Sequence, residues 1–192
     1  EHLRNAHALG AALARAGAVV LTGGHGGVMQ AAAAGCARAG GTSIGILPDR
    51  DRLRANPDTT FTIPTGMGEL RNGLLVRSAD AVVCVALSWG TLSEVALAVR
   101  SGVPVVALGG WDLPLDGPIP ASSSLEAAEV ALVLAARTSR ALGSAESMDG
   151  LGAMNAGPTG VAPHADAVSP AGGSPAANSP GAPTAAARVA AD

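Results

Sequence analysis

The stretch Thr22-Gly23-Gly24-His25-Gly26-Gly27-Val28-Met29 decides how the rest of the chain reads. A β-branched run, Ala18 to Leu21, precedes it, and an Ala-rich segment, Val28 to Arg38, follows and is closed by Gly40-Gly41. The order is strand, glycine-rich turn, helix. Gly23, Gly24, Gly26 and Gly27 let backbone approach a ligand closely, and N–H groups at a helix N-terminus favour an anion. The spacing is not GxGxxG, and no Lys-Ser/Thr follows as in a Walker A loop. The stretch therefore reads as a phosphate cradle of another type, with a tight, permissive turn as the plainer reading. His25 reads as an exposed loop histidine with no assigned role.

Outward from this turn the alternation continues. Residues 3–16 read as a helix with Leu3, Leu9 and Leu13 on its apolar face. Thr42 to Leu47 and Thr60 to Ile63 read as strands, with a charged loop over residues 49–58 between them. Gly68 to Ser78 reads as a helix, Ala79 to Leu87 as a continuous apolar strand and Thr91 to Arg100 as a helix. Val103 to Leu108 is a further strand and Leu125 to Leu142 an amphipathic helix. Continuous apolar strands alternating with helices argue a parallel sheet covered on both faces, a doubly wound Rossmann-like α/β fold. Ligands of such sheets sit beyond the carboxyl ends of the strands.

Two further loops at those ends stand out. Ser88-Trp89-Gly90-Thr91-Leu92-Ser93-Glu94 follows the apolar strand, and Thr91 with Glu94 has capping-box spacing. The same geometry leaves N–H groups for phosphate; the bland reading of Glu94 is the cap alone. Ile63-Pro64-Thr65-Gly66-Met67-Gly68-Glu69-Leu70-Arg71-Asn72 leads into the next helix. Arg71 is suited to bidentate binding of phosphate or carboxylate, with a surface salt bridge as the alternative. Arg71→Ala is expected to weaken binding of a phosphorylated ligand without unfolding the domain.

Composition sets the outer limits. The chain has 192 residues, formal net charge −3, 14% charged and 2% aromatic residues. That balance excludes a strongly basic nucleic-acid binder. No apolar run approaches the ~18 residues of a membrane-spanning helix. No basic segment followed by an apolar one marks a signal peptide. Cys36 and Cys84 are far apart, form no CxxC pair, and read as buried thiols of a reducing cytoplasm. No metal-ligand cluster is evident. From about Ser144 the chain turns to Ala, Gly, Pro and Ser without period. Residues 1–143 are therefore expected to form the domain, and 144–192 a disordered tail.

Taken together, the motifs resemble one superfamily. Thr22-Gly-Gly-His-Gly-Gly-Val-Met29, Gly45-Ile-Leu-Pro48, Ala55-Asn-Pro57, Ile63-Pro-Thr-Gly-Met67, Arg71-Asn72, Trp89-Gly-Thr-Leu-Ser-Glu94 and Gly102-Val-Pro-Val-Val106 carry the likeness, over roughly residues 1–111. The group is the lysine-decarboxylase-like, or LOG (Lonely Guy), superfamily. It includes cytokinin-activating phosphoribohydrolases and molybdenum cofactor carrier proteins, and the carrier-like branch is the more similar. The resemblance implies a Rossmann-like nucleotide-binding protein, a homodimer or larger, acting in the cytoplasm. It implies a ligand site made by Thr22, Gly23, Gly24, Gly26, Gly27, Met29, Thr65, Gly66, Met67, Arg71, Asn72, Ser88, Gly90, Thr91 and Glu94. If the chain is a hydrolase, Glu94 and Arg71 are the catalytic positions.

Three departures bear on activity. LOG enzymes carry PGGxGTxEE, and the first of its two acids is Ser93 here. Ala86-Leu87 stands where a Gly-Gly pair is expected. Arg71-Asn72 replaces the Arg-Lys of the hydrolases and fits the carrier-like branch. The chain also opens inside the first helix, so the sheet is expected to lack its first, central strand. The leading expectation is a carrier-like protein binding a nucleotide or phosphorylated cofactor, with the molybdenum cofactor or a nucleoside monophosphate as ligand. The alternatives are a nucleoside 5′-monophosphate phosphoribohydrolase and a truncated, non-binding family member.

Overall fold

The computed structural model describes residues 1–86, 88–109, 117–149 and 186–190. Five α-helices and seven strands are formed by these residues. The helices are α1 (His2–Arg15), α2 (Val28–Arg38), α3 (Arg71–Arg77), α4 (Trp89–Arg100) and α5 (Ser124–Asp149). The strands are β1 (Val19–Thr22), β2 (Ser43–Leu47), β3 (Phe61–Pro64), β4 (Ala81–Cys84), β5 (Val105–Leu108), β6 (Ile119–Ala121) and β7 (Ala186–Ala190). They form one sheet in the order β3-β2-β1-β7-β4-β5-β6. Every neighbouring pair is parallel. The loops that follow β1, β2, β3 and β4 therefore emerge at one edge.

The central strands are buried on both faces, which is why they read as unbroken apolar runs. On one face Val20, Val83, Val85 and Val106 pack with Leu9 and Leu13 of α1, Val28, Ala32 and Cys36 of α2, and Ala127, Ala128, Ala131 and Ala135 of α5. On the other, Val82, Cys84 and Val105 meet Val76 of α3 and Val95 and Ala98 of α4. Leu21 and Ile46 pack on Leu75 of α3 on that same face. Small residues on α1 and α2 permit a close crossing. A Cβ at Gly10 would collide with the Ala32 carbonyl oxygen, and one at Gly35 with the His7 carbonyl oxygen.

Two expectations change. The central place of the sheet, expected to lack a strand, is held by β7, between β1 and β4. The stretch expected to be disordered, 144–192, therefore contains a strand, and α5 runs on to Asp149, past the expected boundary at 143. An Ala-rich strand with a single Val carries no apolar pattern of its own, so sequence reading had nothing to find. The rest of that stretch, and Leu87 of the Ala86-Leu87 departure, lie outside the described residues. Cys36 and Cys84 are both buried and share no disulfide, and burial raises the Cys36 pKa.

Candidate functional site

The glycine loop is held from below. Thr22, fully buried at the end of β1, accepts a hydrogen bond from the Gly24 N–H through Oγ1 at 3.1 Å. Asn56 buckles the loop from the β2–β3 connection. Its Nδ2 donates to the carbonyl oxygens of Gly24 (3.0 Å) and His25 (2.9 Å), and its N–H donates to Gly24 O at 2.8 Å. Asn56 Oδ1 in turn accepts from Asp58 N and Thr59 Oγ1. All these bonds hold the loop by its backbone.

The four glycines differ in their surroundings. A Cβ at Gly23 would lie 2.5 Å from Arg71 Nη2 and 2.6 Å from Met29 Sδ. Gly24, with φ +80°, presses against Leu47 and the backbone of Gly45. Gly26 and Gly27 are exposed, and a Cβ at Gly27 would meet nothing within 4 Å. Gly27 takes φ +69° at the N-cap of α2, where no side chain caps the helix. The N-terminus of α2 is thus left to other partners, the condition for anion binding.

Arg71 ties this loop to α4. Its Nη1 donates to Glu94 Oε1 at 3.2 Å, with both side chains buried. Its Nε has no hydrogen-bond partner among the described residues. The surface salt bridge considered for Arg71 is thus corrected to a buried one. The capping-box reading of Glu94 is also corrected: α4 begins at Trp89, capped by Ser88, whose Oγ accepts from Thr91 N at 3.2 Å. Thr91 is fully buried and its hydroxyl lies 3.2 Å from Ser88 Oγ. One residue along α3, Asn72 Nδ2 donates to Ser93 Oγ at 2.9 Å, and Ser93 Oγ donates to Gly90 O at 2.7 Å.

The loop after β3 folds back on β2. Thr65 N and Oγ1 donate to Leu47 O at 3.1 and 2.6 Å. Gly66, at φ +64°, donates to Asp49 O, and a Cβ there would strike Arg50 Cγ. Met67 is exposed and its N–H donates to Thr65 Oγ1. His25 Nε2 lies 3.1 Å from Asp49 Oδ2, which also meets Arg54 Nε at 3.5 Å. This pairing gives His25 a partner that sequence reading did not supply.

The expected site residues are therefore only partly gathered. Gly23, Met29, Arg71 and Glu94 form one contact group, and Asn72, Ser93 and Gly90 another beside it. Thr65 is bonded to the end of β2, Gly66 to Asp49 just beyond it, and Met67 to Thr65. A cavity of about 990 Å³ opens between α3 and α4 and is bordered by Arg71, Asn72, Gly90, Ser93 and His25. Of the expected site residues, Thr22, Gly23, Gly24, Gly26, Gly27, Met29, Thr65, Gly66, Met67, Ser88, Thr91 and Glu94 do not line it. Asn56 was missed as a site element; its place in the Ala55-Asn-Pro57 match was the available signal.

A parallel sheet covered on both faces, with a glycine loop opening a helix at its carboxyl edge, defines the Rossmann-like class of α/β proteins. Within it, the chain belongs to the SLOG cluster4 family, whose model matches residues 1–142. The chain is similar to the molybdenum cofactor binding protein of the phototrophic bacterium Rippkaea orientalis. That match has 37% identity and a TM-score of 0.64, covering 67% of this chain and 85% of that one. The molybdenum cofactor carrier protein of Chlamydomonas reinhardtii is 34% identical at a TM-score of 0.63, over 69% of this chain and 88% of that one. An uncharacterized protein of Archaeoglobus fulgidus is 40% identical over 108 residues, 56% of this chain and 71% of the relative.

Proposed function

We propose that the chain is a carrier-like protein that binds a phosphorylated cofactor at the carboxyl edge of its sheet. The molybdenum cofactor is the leading ligand and a nucleoside monophosphate the next. The observation that carries this reading is the Arg71 guanidinium. It is buried, it contacts the space beside Gly23, and its Nε donor has no partner among the described residues. A buried, unused charged donor beside a backbone cradle suits an anionic group. Gly26 and Gly27 would present N–H groups to that anion, and Gly23 and Gly24 would keep the cradle low. Arg71 would supply charge, while Asn72, Ser88 and Gly90 would border the ligand. The two solved relatives described as molybdenum cofactor proteins support the same reading.

Ser93 in place of an acid also favours binding. Its hydroxyl is engaged by Asn72 and Gly90, and a hydroxyl so held does not replace a carboxylate in stabilising an oxocarbenium-like state or activating water. The hydrolase reading survives on one observation, the retained Glu94 with its Arg71 partner. Thermal shift with molybdopterin, AMP and inorganic phosphate tests the first reading. A rise in Tm with molybdopterin or AMP, lost in Arg71→Lys, is expected; no shift with any of the three refutes it. Release of adenine from AMP, abolished by Glu94→Gln, would establish the hydrolase instead.

The protein further acts as a homodimer in the cytoplasm on this proposal. Leu70, Leu74, Trp89 and Leu97 are exposed on α3, α4 and the segment before α3, with Trp89 79% exposed. An apolar face of this kind marks a protein interface. No described helix is long and apolar enough to cross a membrane.

A further inference from the structure

We infer that the C-terminal strand β7 is a positioning element of the ligand site, setting the glycine loop of β1 in register with α4. The inference rests on the ligand site proposed above. The site straddles two half-sheets. One, β3-β2-β1, carries the Gly23–Gly27 loop; the other, β4-β5-β6, carries Ser88 and α4 with Glu94. β1 and β4 do not pair with each other: each pairs with β7 on its inner side. Val19, Val20 and Leu21 stand opposite Ala186, Ala187 and Arg188, while Ala81 to Cys84 stand opposite Ala187 to Ala190. Leu21 and Val82 are therefore both set by the single residue Arg188.

The consequence is metric. A slip of one residue along a strand is about 3.3 Å. The Arg71–Glu94 contact is 3.2 Å and the Asn72–Ser93 contact 2.9 Å. A one-residue error in how β7 docks would displace the loop after β1 from α3 and α4, which both flank β4, by as much as either bond is long. Packing of α1 on α5 and of Leu75 in α3 on Leu21 and Ile46 also joins the halves, but apolar packing is non-directional and tolerates sliding. Hydrogen-bond ladders do not. The segment between α5 and β7, residues 150–185, is Ala/Gly/Pro/Ser-rich. Docking of β7 is thus a long-range event on which a site otherwise contained in residues 22–94 depends.

The test uses the full chain. Val189→Pro removes one main-chain donor from the ladder. Hydrogen exchange is then followed by mass spectrometry in three places: the loops 23–27 and 88–91, and the α1–α2 pair. The expected result is at least about tenfold faster exchange in both loops with α1–α2 protection retained. Loss of protection in 186–190 with both loops unchanged overturns the inference. As a second arm, Ala190→Cys sits in register with Cys84 on the adjacent strand. Oxidised glutathione should close that bond and slow exchange in both loops. Failure to cross-link, or cross-linking without effect on the loops, also overturns it. These readouts need no ligand, so a chain that binds nothing would refute the proposed function while leaving this inference decided on its own data.

Discussion

Asn72 Nδ2 and Ser93 Oγ meet at 2.9 Å, one residue along from the 3.2 Å contact of Arg71 Nη1 with Glu94 Oε1. Helices α3 and α4 are thus joined by one neutral bond and one charged bond side by side. Two of the three departures from the hydrolase pattern, Asn72 and Ser93, are partners in space. Ser93→Ala would leave Asn72 Nδ2 buried without this acceptor. A loss of about 1–3 kcal/mol is expected, measured by urea unfolding, with Asn72→Ala/Ser93→Ala costing less than the sum of the singles.

Arg71→Ala has a different expected outcome from the one drawn from sequence. Because the pair is buried, removing the guanidinium takes from the Glu94 carboxylate its buried ion-pair partner. The loss should be about 3–5 kcal/mol. Glu94→Gln keeps an oxygen acceptor and should cost less. Guanidinium unfolding curves for both variants decide this; an Arg71→Ala protein as stable as wild type would contradict the burial of the pair.

The glycine loop should divide by position. Gly23→Ala pushes a methyl group into Arg71 and Met29 and is expected to cost about 1–3 kcal/mol. Gly26→Ala meets only the Gln30 side chain, at 3.9 Å, and should leave stability unchanged. Tm values of the two variants, measured side by side, test the contrast.

Gly35→Ala is expected to be among the most damaging small substitutions in the chain. The added carbon would overlap the His7 carbonyl oxygen at the α1–α2 crossing, and both helices are backbone-rigid there. Far-ultraviolet melting should show a markedly lower Tm, whereas Gly73→Ala, with open space around it in α3, should not.

The start of α5 gives a pH prediction. Ser122 Oγ and Ser122 N both donate to the Glu126 carboxylate, which holds its pKa below the ordinary carboxylate value. A lowered folded-state pKa means the contribution is present at neutral pH and lost as pH falls through that pKa. The Ser122 amide resonance should therefore titrate with a midpoint below that of a free glutamate, and Glu126→Gln should abolish the titration.

Much of the fold was legible because its signals are local. Val19–Thr22 is ended by Gly23-Gly24, Ala81–Cys84 lies within an apolar run that lasts to Leu87, and each is followed by a helix. The glycine loop announced itself by composition. Arg71 and Glu94 were both legible as single residues, but not as a pair, since 23 residues separate them and only the packing of α3 and α4 on one face of the sheet brings them together. Ser88 took the cap from Thr91 because α4 starts two residues earlier than the apolar pattern suggests. Asn56 looked like loop filler, yet it carries the loop's backbone bonds.

The sequence by itself determined the alternation of strand and helix, the parallel sheet, and which loops meet the ligand edge. Each follows from apolar periodicity and glycine placement within about a dozen residues. Tertiary structure alone decided the buried Arg71–Glu94 pair, the neutral bond of Asn72 with Ser93, and the place of Ala186–Ala190 at the centre of the sheet. Those depend on contacts between residues far apart in the chain. For β7 the ladders offered by β1 and β4, rather than any propensity of its own Ala-rich segment, make it a strand.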